Sequence, residues 1–146
     1  LGRVAYGLLG MRTLAAAPAV EATMSLDGTE VHVPDLFFAL AANTPRYGGV
    51  VPLTRRHALD DGLLEVTTFT ARGLASRLGL LAQALRGRLD ERAVRGITQR
   101  QASRITITPA VPLPVEVDGD AIGHCGPTAP LHIEVETRAI EMIFGR

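Results

Sequence analysis

Two adjacent carboxylates, Asp60 and Asp61, precede Gly62 in the segment ALDDGLLEV, residues 58–66. Hard cations such as Mg²⁺ are bound by oxygen ligands, often a carboxylate together with backbone carbonyl groups. A turn that ends in glycine can direct one side chain and two carbonyl groups at a single point. The same tripeptide is also typical of an ordinary turn before a strand. The residues alone therefore leave both interpretations open.

A further carboxylate, Asp120, directly follows an Asp118-Gly119 pair that predicts a tight hairpin turn. A carboxylate on the rim of a hairpin can accept a proton from the hydroxyl group of a substrate. The simpler interpretation is a solvated side chain without a role in chemistry. Nothing in the local pattern separates these two interpretations.

Other kinds of site are disfavoured by residue types. His124 and Cys125 are adjacent, but a zinc site needs three or four such ligands, the other histidines are isolated, and the chain has 1 Cys. That lone cysteine also cannot form an internal disulfide. No serine lies in a Gly-x-Ser-x-Gly hydrolase motif, and the glycines form no nucleotide-binding motif. All 15 basic residues are arginine, which excludes a catalytic lysine within this chain.

Composition sets the size and character of the core. The 146 residues suit one domain, and 47% hydrophobic with 4% aromatic residues predicts an aliphatic core. The formal net charge of +0 argues against binding nucleic acid through bulk charge, and 2 Tyr and 4 Phe offer few stacking surfaces. No apolar run reaches the roughly 18 residues of a membrane span. The chain begins with Leu, and we expect it to be a piece of a longer protein.

Hydrophobic periodicity predicts strands along most of the chain. Alternation over residues 20–33, interrupted by Asp27-Gly28, predicts a hairpin with a type I′ turn. The apolar run from Asp35 to Asn43 predicts a strand that is buried on both faces. Alternation or strand-forming residues predict further strands at residues 63–70, 105–108, 115–117, 131–135 and 140–144.

Two segments instead have helical periodicity. Residues 1–17 predict a helix that ends at Pro18. From Gly73 to Arg86, leucines at 74, 78, 81 and 85 form one stripe, which predicts a helix that faces the core. Arginines around this stripe leave open a helix that contacts acidic lipid. The basic stretch 86–100 predicts an exposed connection. The whole pattern favours a single mainly β domain, residues 1–146, of sandwich or barrel type with one or two helices.

Two segments together resemble a known family. The first is ANTPRYGGVVPLTRRHALDDGLLEVTTFT, and the second is PLPVEVDGDAIG. In their order and spacing they resemble the C-terminal domain of the diacylglycerol kinase and sphingosine kinase superfamily of soluble lipid kinases. The likeness extends from Val20 to Phe144. It implies a two-layer β-sandwich, and a separate N-terminal nucleotide-binding domain whose Gly-Gly-Asp-Gly-Thr motif does not occur in this sequence.

The resemblance also implies roles for single residues. Asp61 would bind Mg²⁺ through its carboxylate, and Ala58 and Leu63 would contribute their backbone carbonyl groups. Asp120 occupies the position of the family's catalytic base, which is normally Glu. Asp is one methylene shorter, and a misplacement near 1 Å can cost about 100-fold in rate.

The function implied by this resemblance is that of a lipid-binding and catalytic-base domain in an ATP-dependent lipid kinase. The enzyme would phosphorylate a hydroxyl of diacylglycerol or a related lipid, with ATP bound mainly by the N-terminal domain. We expect this chain alone to be inactive, and the enzyme to be cytoplasmic with peripheral contact to the inner membrane face. The alternative is a stand-alone β-sandwich module that binds a lipid or a partner protein and catalyses nothing. The absence of a nucleotide-binding motif from the sequence and the Asp at position 120 both favour that alternative.

Overall fold

The computed structural model describes residues 18–44, 46–47, 51–52, 61–86 and 95–137. The helix predicted over residues 1–17, the strand predicted over residues 140–144 and Ala58 lie outside this part of the chain. The strands that the structure describes are β1 (Val20–Leu26), β2 (Thr29–Ala42), β3 (Arg46–Tyr47), β4 (Val51–Pro52), β5 (Leu64–Thr70), β6 (Ile97–Ala102), β7 (Arg104–Pro109), β8 (Leu113–Val117), β9 (Asp120–Cys125) and β10 (Leu131–Glu134). The helix α1 spans Leu74–Leu85.

Most strands belong to one antiparallel sheet of six, in the order β10-β7-β1-β2-β5-β6. The pairs β3-β4 and β8-β9 form separate two-stranded sheets. The predicted mainly β class is therefore confirmed. In the described part of the chain, no helix is long and apolar enough to cross a membrane.

Ser103 alone separates β6 from β7. In the strand order, however, β6 stands at one end and β7 is next to the other end. One residue covers only about 4 Å, so the two ends of the sheet must lie side by side. The sheet is therefore curled on itself, and β5 and β6 lie over β1 and β7. This geometry confirms the predicted two-layer sandwich.

The long strand β2 passes from one layer to the other. Its first half pairs with β1 and its second half with β5, with register shifts in both ladders near Leu36. Asp35 lies at this bend with a φ of 55°, a left-handed conformation that Asp adopts more readily than most residues. The Asp35 carbonyl accepts a hydrogen bond from the Ala71 N–H at 3.1 Å, and its carboxylate accepts one from Arg72 Nε at 2.7 Å.

Apolar side chains pack on both faces of β2. Leu36 belongs to the core between the layers, whose buried members are Val20, Ala22, Met24, Leu26, Val33, Leu36, Val66, Ala102, Ile105 and Ile107. Phe37 points the other way, into a smaller cluster with Phe69, Leu80 and Ile97. The prediction that residues 35–43 are covered on both faces is confirmed at these positions.

The face that α1 turns to the sheet differs from the prediction. Leu74 and Leu78 are 58% and 47% exposed, whereas Arg77 and Leu80 are 8% and 5% exposed. Arg77 can be buried because its Nε donates to the Ala71 carbonyl at 3.2 Å and its guanidinium lies 5.3 Å from the centre of the Phe37 ring. The leucine stripe was therefore the wrong guide to the buried face. The side chains of Leu81 and Leu85 lie outside the described set.

The connection predicted over residues 86–100 is also partly wrong. Residues from Ile97 onward form β6, which pairs with β5, and Ile97 is buried. The Gly96 carbonyl accepts a hydrogen bond from the Thr70 N–H at 2.8 Å at the start of this pairing. The segment ITQRQA has few apolar residues because β6 stands at an end of the strand order, with several side chains in solvent.

Candidate functional site

The turn before β5 holds Asp61 in a defined conformation. The Leu63 N–H donates to Asp61 Oδ1 at 3.0 Å, two residues along the chain, which is the hydrogen bond of an Asx turn. Gly62 between them has a φ of 72°, a value that glycine adopts without steric cost. The sequence Asp-Gly-Leu therefore folds so that the Asp61 carboxylate caps its own turn and remains exposed.

A second constraint on this turn comes from Thr137, in the segment after β10. A Cβ atom added to Gly62 would lie 3.2 Å from Thr137 Cγ2, tighter than an ordinary contact. The segment after β10 thus packs directly against the Asp61 turn. Glycine suits this position through its φ of 72°, and a larger residue would also require the Thr137 methyl group to shift by a few tenths of an ångström.

The Asp61 carboxylate has oxygen lone pairs of the kind that a hard cation binds. Asp61 Oδ1 accepts one hydrogen bond, from the Leu63 N–H, and the remaining lone pairs of the carboxylate are available to bind a cation. The described residues contain no cluster of three or more His, Cys, Asp or Glu. A cation here would consequently depend on Asp61, backbone carbonyl groups and water. Mg²⁺ suits such a site because it is commonly bound by one or two carboxylates and keeps several waters.

Asp120 is the first residue of β9 and pairs with Val117 across the turn. Asp118 and Gly119 have φ values of 53° and 92°, as in a type I′ turn, so the hairpin predicted from this dipeptide is confirmed. Asp120 is exposed. Its carboxylate is therefore accessible to a substrate from the turn end of the hairpin.

The opposite end of the β8–β9 hairpin is anchored to the sandwich. Leu113 packs against the core between the layers, and its partner Cys125 is buried. Burial raises the pKa of the Cys125 thiol, so this cysteine remains a neutral structural residue at physiological pH. The hairpin is thus fixed at its base and exposed at its turn.

Apolar side chains near Asp120 are also exposed. Val117 and Ile122 have 53% and 61% of their surface accessible. Ile122 is the extra residue of a bulge, since Val115 pairs with Gly123 and Glu116 pairs with Ala121. The surface beside Asp120 therefore offers hydrocarbon to a ligand as well as a carboxylate.

Asp61 and Asp120 stand on different elements, one before β5 of the large sheet and the other in the β8–β9 hairpin. Among the described residues, no hydrogen bond or ion pair joins them. Leu63 adjoins Asp61, and Ala58 lies outside the described ranges. The arrangement keeps the proposed cation-binding carboxylate and the proposed catalytic carboxylate in separate surroundings.

A pocket of about 210 Å³ was not anticipated from the sequence. Apolar residues from β1, β2 and β5 form part of its wall, and Thr98 and Arg100 of β6 contribute polar groups. The sequence does contain a pattern that indicates this wall. In a strand, Thr98 and Arg100 lie two residues apart and therefore point to the same face. This pattern was overlooked because residues 86–100 were not interpreted as containing a strand.

Comparisons with known proteins agree with this fold. Residues 1–144 match the family model described as the YegS C-terminal NAD kinase beta sandwich-like domain. A solved structure of a diacylglycerol kinase from Bacillus anthracis str. Sterne superposes with a TM-score of 0.64 at 22% identity, covering 90% of this chain and 42% of that one. A provisionally assigned diacylglycerol kinase from the same organism gives a TM-score of 0.65 at 21% identity, covering 90% and 43%. No curated protein matches the chain.

The chain spans less than half the length of these two solved structures. At such identities the likeness shows a shared fold. The family match over residues 1–144 includes both the Asp61 turn and the β8–β9 hairpin.

Proposed function

Because the chain belongs to the family of YegS C-terminal NAD kinase beta sandwich-like domains, we propose that it is the lipid-binding and catalytic-base domain of an ATP-dependent lipid kinase. The observation that carries this proposal is the exposed carboxylate of Asp120 at the turn end of an anchored hairpin. Structures named as diacylglycerol kinases share the fold, which supports a kinase context.

The proposed reaction transfers the γ-phosphoryl group of ATP to a hydroxyl of diacylglycerol or a related lipid. Asp120 accepts the proton of that hydroxyl as its oxygen bonds to the γ-phosphorus, and the bond to the β–γ bridging oxygen breaks to release ADP. Phosphoryl transfer depends mainly on positioning and charge neutralisation, with a carboxylate that orients the attacking hydroxyl. ATP would be held mainly by a nucleotide-binding domain outside this chain.

Mg²⁺ has two proposed places. One accompanies the phosphates of ATP, where it would neutralise their charge. The other is the Asp61 turn, where the carboxylate of Asp61 and the backbone carbonyls of Ala58 and Leu63 would bind it. The capped turn before β5 and its contact with Thr137 support a structural role for that cation.

The proposed enzyme works in the cytoplasm and contacts the inner membrane face peripherally, since its lipid substrate resides there. The alternative function, a non-catalytic module that binds lipid or a partner, also fits the exposed Val117 and Ile122. The coding sequence just upstream of Leu1 separates the two. An in-frame Gly-Gly-Asp-Gly-Thr motif there favours the kinase, whereas a nearby start codon favours the module.

Asp120→Asn tests the catalytic role in the full-length parent protein. We expect phosphate transfer from ATP to diacylglycerol to fall by at least about 100-fold, because a general base typically contributes that much or more. The melting temperature should not change, since Asp120 is exposed and its backbone pairing is retained. Asp118→Asn, the same change two residues earlier, is the matched control and should retain activity. Undiminished transfer by Asp120→Asn removes this residue from the mechanism.

Asp61→Ala tests the structural cation. In the unaltered protein, Mg²⁺ should raise the melting temperature, because a ligand that binds only the folded state stabilises it. The variant should melt at a lower temperature and lose its response to Mg²⁺. An equal melting temperature for both proteins, with and without Mg²⁺, contradicts the site.

A further inference from the structure

The outer side of α1 carries large apolar side chains that the described residues leave exposed. Leu74 and Leu78 are 58% and 47% exposed, and residues four apart lie on the same side of a helix. The opposite side is fixed to the sheet, because Leu80 is buried with Phe37 and Phe69. The two leucines therefore form a hydrocarbon edge that points away from the sandwich core.

Arg77 keeps α1 in this orientation. Its Nε donates to the Ala71 carbonyl just before the helix, and its guanidinium lies over the ring of Phe37. Rotation of the helix to bury Leu74 and Leu78 would withdraw Arg77 from both contacts. The exposure of the leucines is thus a consequence of defined packing on the other side.

The charged residues within the chain segment that contains α1 are all basic. No Asp or Glu occurs between Ala71 and Leu89, whereas arginines stand at positions 72, 77, 86 and 88. Arg86 directly follows α1 and is exposed. Arg72 just before the helix has 84% of its side chain exposed, although Asp35 offsets part of its charge. A surface that combines exposed leucines with cations complements an apolar layer bordered by anions.

We propose that α1 binds an anionic membrane surface, with Leu74 and Leu78 among the acyl chains and Arg86 and Arg72 at the headgroups. A basic helix with an apolar edge lies in the membrane interface in this way. A second copy of the chain would bring two cationic edges together, which charge repulsion opposes. The inference extends the peripheral membrane contact of the proposed function and names the surface responsible for it.

Binding of the full-length parent protein to vesicles provides the test. Sedimentation with vesicles of phosphatidylcholine alone is compared with vesicles that contain phosphatidylglycerol. We expect binding to the anionic vesicles, and a loss of at least about tenfold in partition coefficient for the double variant L74S/L78S. R86Q should lose about fivefold on anionic vesicles and nothing on neutral ones.

V111S is the matched control, because Val111 is an exposed valine outside α1 with 44% of its surface accessible. It should bind vesicles like the unaltered protein. Circular dichroism and melting of each variant establish that it is folded. Since the assay measures binding and not phosphate transfer, it can fail while the kinase function stands, and the reverse also holds.

Three results overturn the proposal. The first is an unaltered protein that does not bind phosphatidylglycerol vesicles. The second is a folded L74S/L78S variant that binds them as well as V111S does. The third is a concentration-dependent dimer of the unaltered protein that L74S/L78S abolishes, because the leucines would then cover each other.

Discussion

The Asp-Gly hairpins at Asp27 and Asp118 have the same turn but different surroundings. The φ values are 49° and 86° in the first turn and 53° and 92° in the second, so both adopt type I′ geometry. The first turn joins β1 to β2 within the six-stranded sheet, whereas the second joins β8 to β9 in a separate two-stranded sheet. The Asp-Gly dipeptide determines the turn type in each case, whereas the neighbouring elements determine which residues the turn contacts.

The Asp27 turn is tied to the rest of the sandwich. The Asp27 carboxylate accepts hydrogen bonds from the Ser103 hydroxyl at 2.7 Å and from the Arg104 N–H at 2.8 Å. Its own N–H donates to the Arg104 carbonyl at 2.9 Å. The hydrogen bond from Ser103, followed by those from the backbone of Arg104 and Ser103, lowers the pKa of Asp27 below its usual range. This side chain therefore fastens the hairpin to the corner between β6 and β7.

The Asp118 turn has no such fastening among the residues that the structure describes. Asp118 is exposed, and most of β8 and β9 is exposed as well. A two-stranded hairpin is marginally stable by itself, so the anchors at Leu113 and Cys125 must hold it. The comparison teaches that the fastened turn supports the fold, while the unfastened one leaves the neighbouring Asp120 accessible for chemistry.

The larger test extends the comparison to the two sheets in which these turns lie. It uses two glycines with nearly equal φ, Gly96 at 91° before β6 of the six-stranded sheet and Gly119 at 92° in the β8–β9 hairpin. A Cβ at Gly96 would lie 2.5 Å from the Thr70 carbonyl oxygen, whereas at Gly119 nothing lies within 4 Å. We expect Gly96→Ala to lower the free energy of unfolding by about 2–4 kcal/mol, since left-handed strain and steric overlap add. Gly119→Ala should lower it by about 1 kcal/mol, from strain alone.

Urea denaturation of both variants measures the difference. Gly79→Ala in the exposed part of α1 is a control of opposite sign, because alanine in place of a helical glycine stabilises by about 0.5–1 kcal/mol and nothing lies within 4 Å of its Cβ. Equal losses for Gly96→Ala and Gly119→Ala would show that the two regions are equally constrained, contrary to the comparison.

The smaller test replaces the two turn carboxylates. Asp27→Asn should lower the melting temperature at pH 7 by a few degrees, because the amide is a weaker acceptor for three backbone and hydroxyl donors. Asp118→Asn should leave the melting temperature unchanged. The proposed catalytic residue Asp120 is intact in both variants, so neither change touches the chemistry directly.

The stabilisation contributed by the Asp27 carboxylate should depend on pH, and the direction of its pKa shift fixes the direction of that dependence. The folded-state pKa of Asp27 is lowered, so the unfolded state binds the proton more readily. The stabilisation is fully present above the unfolded pKa of about 3.9 and is lost as the pH falls through the lower folded pKa. The difference in melting temperature between the unaltered chain and Asp27→Asn should therefore be constant from pH 7 to about 5 and shrink below about pH 4. A difference that stays at its pH 7 size as the pH falls below about 4 contradicts the carboxylate as its source.

Much of the secondary structure followed from sequence because its causes are local. Both Asp-Gly turns, the strand with two covered faces and the span of α1 depend on residues near one another. The prediction of the buried face of α1 was wrong because Arg77 contacts the Phe37 ring and the Ala71 carbonyl group. Hydrophobic periodicity does not show such contacts. The strand β6 was missed because its polar sequence is stabilised by pairing with β5.

For the candidate site, too, the local features could be predicted from the sequence and the contacts between distant segments could not. The Asx turn at Asp61 and the accessible position of Asp120 agree with their dipeptide context. The packing of Thr137 against Gly62 depends on a segment that is distant in sequence, and no local pattern indicates it. The assignments of Asp61, Ala58, Leu63 and Asp120 to a cation and a proton remain predictions from the family resemblance.

The one-residue corner at Ser103 also bears on how the chain folds. The hydrogen bonds from Ser103 to Asp27 join residues 76 positions apart, and β1 has β7 as its neighbour. Pairing between strands that are distant in sequence slows folding, because the chain loses the entropy of loop closure before the contacts that offset this loss have formed. During synthesis, β1 presents an open edge until β7 has emerged from the ribosome. Early chain segments therefore carry an unpaired strand edge, the feature by which nascent β proteins aggregate.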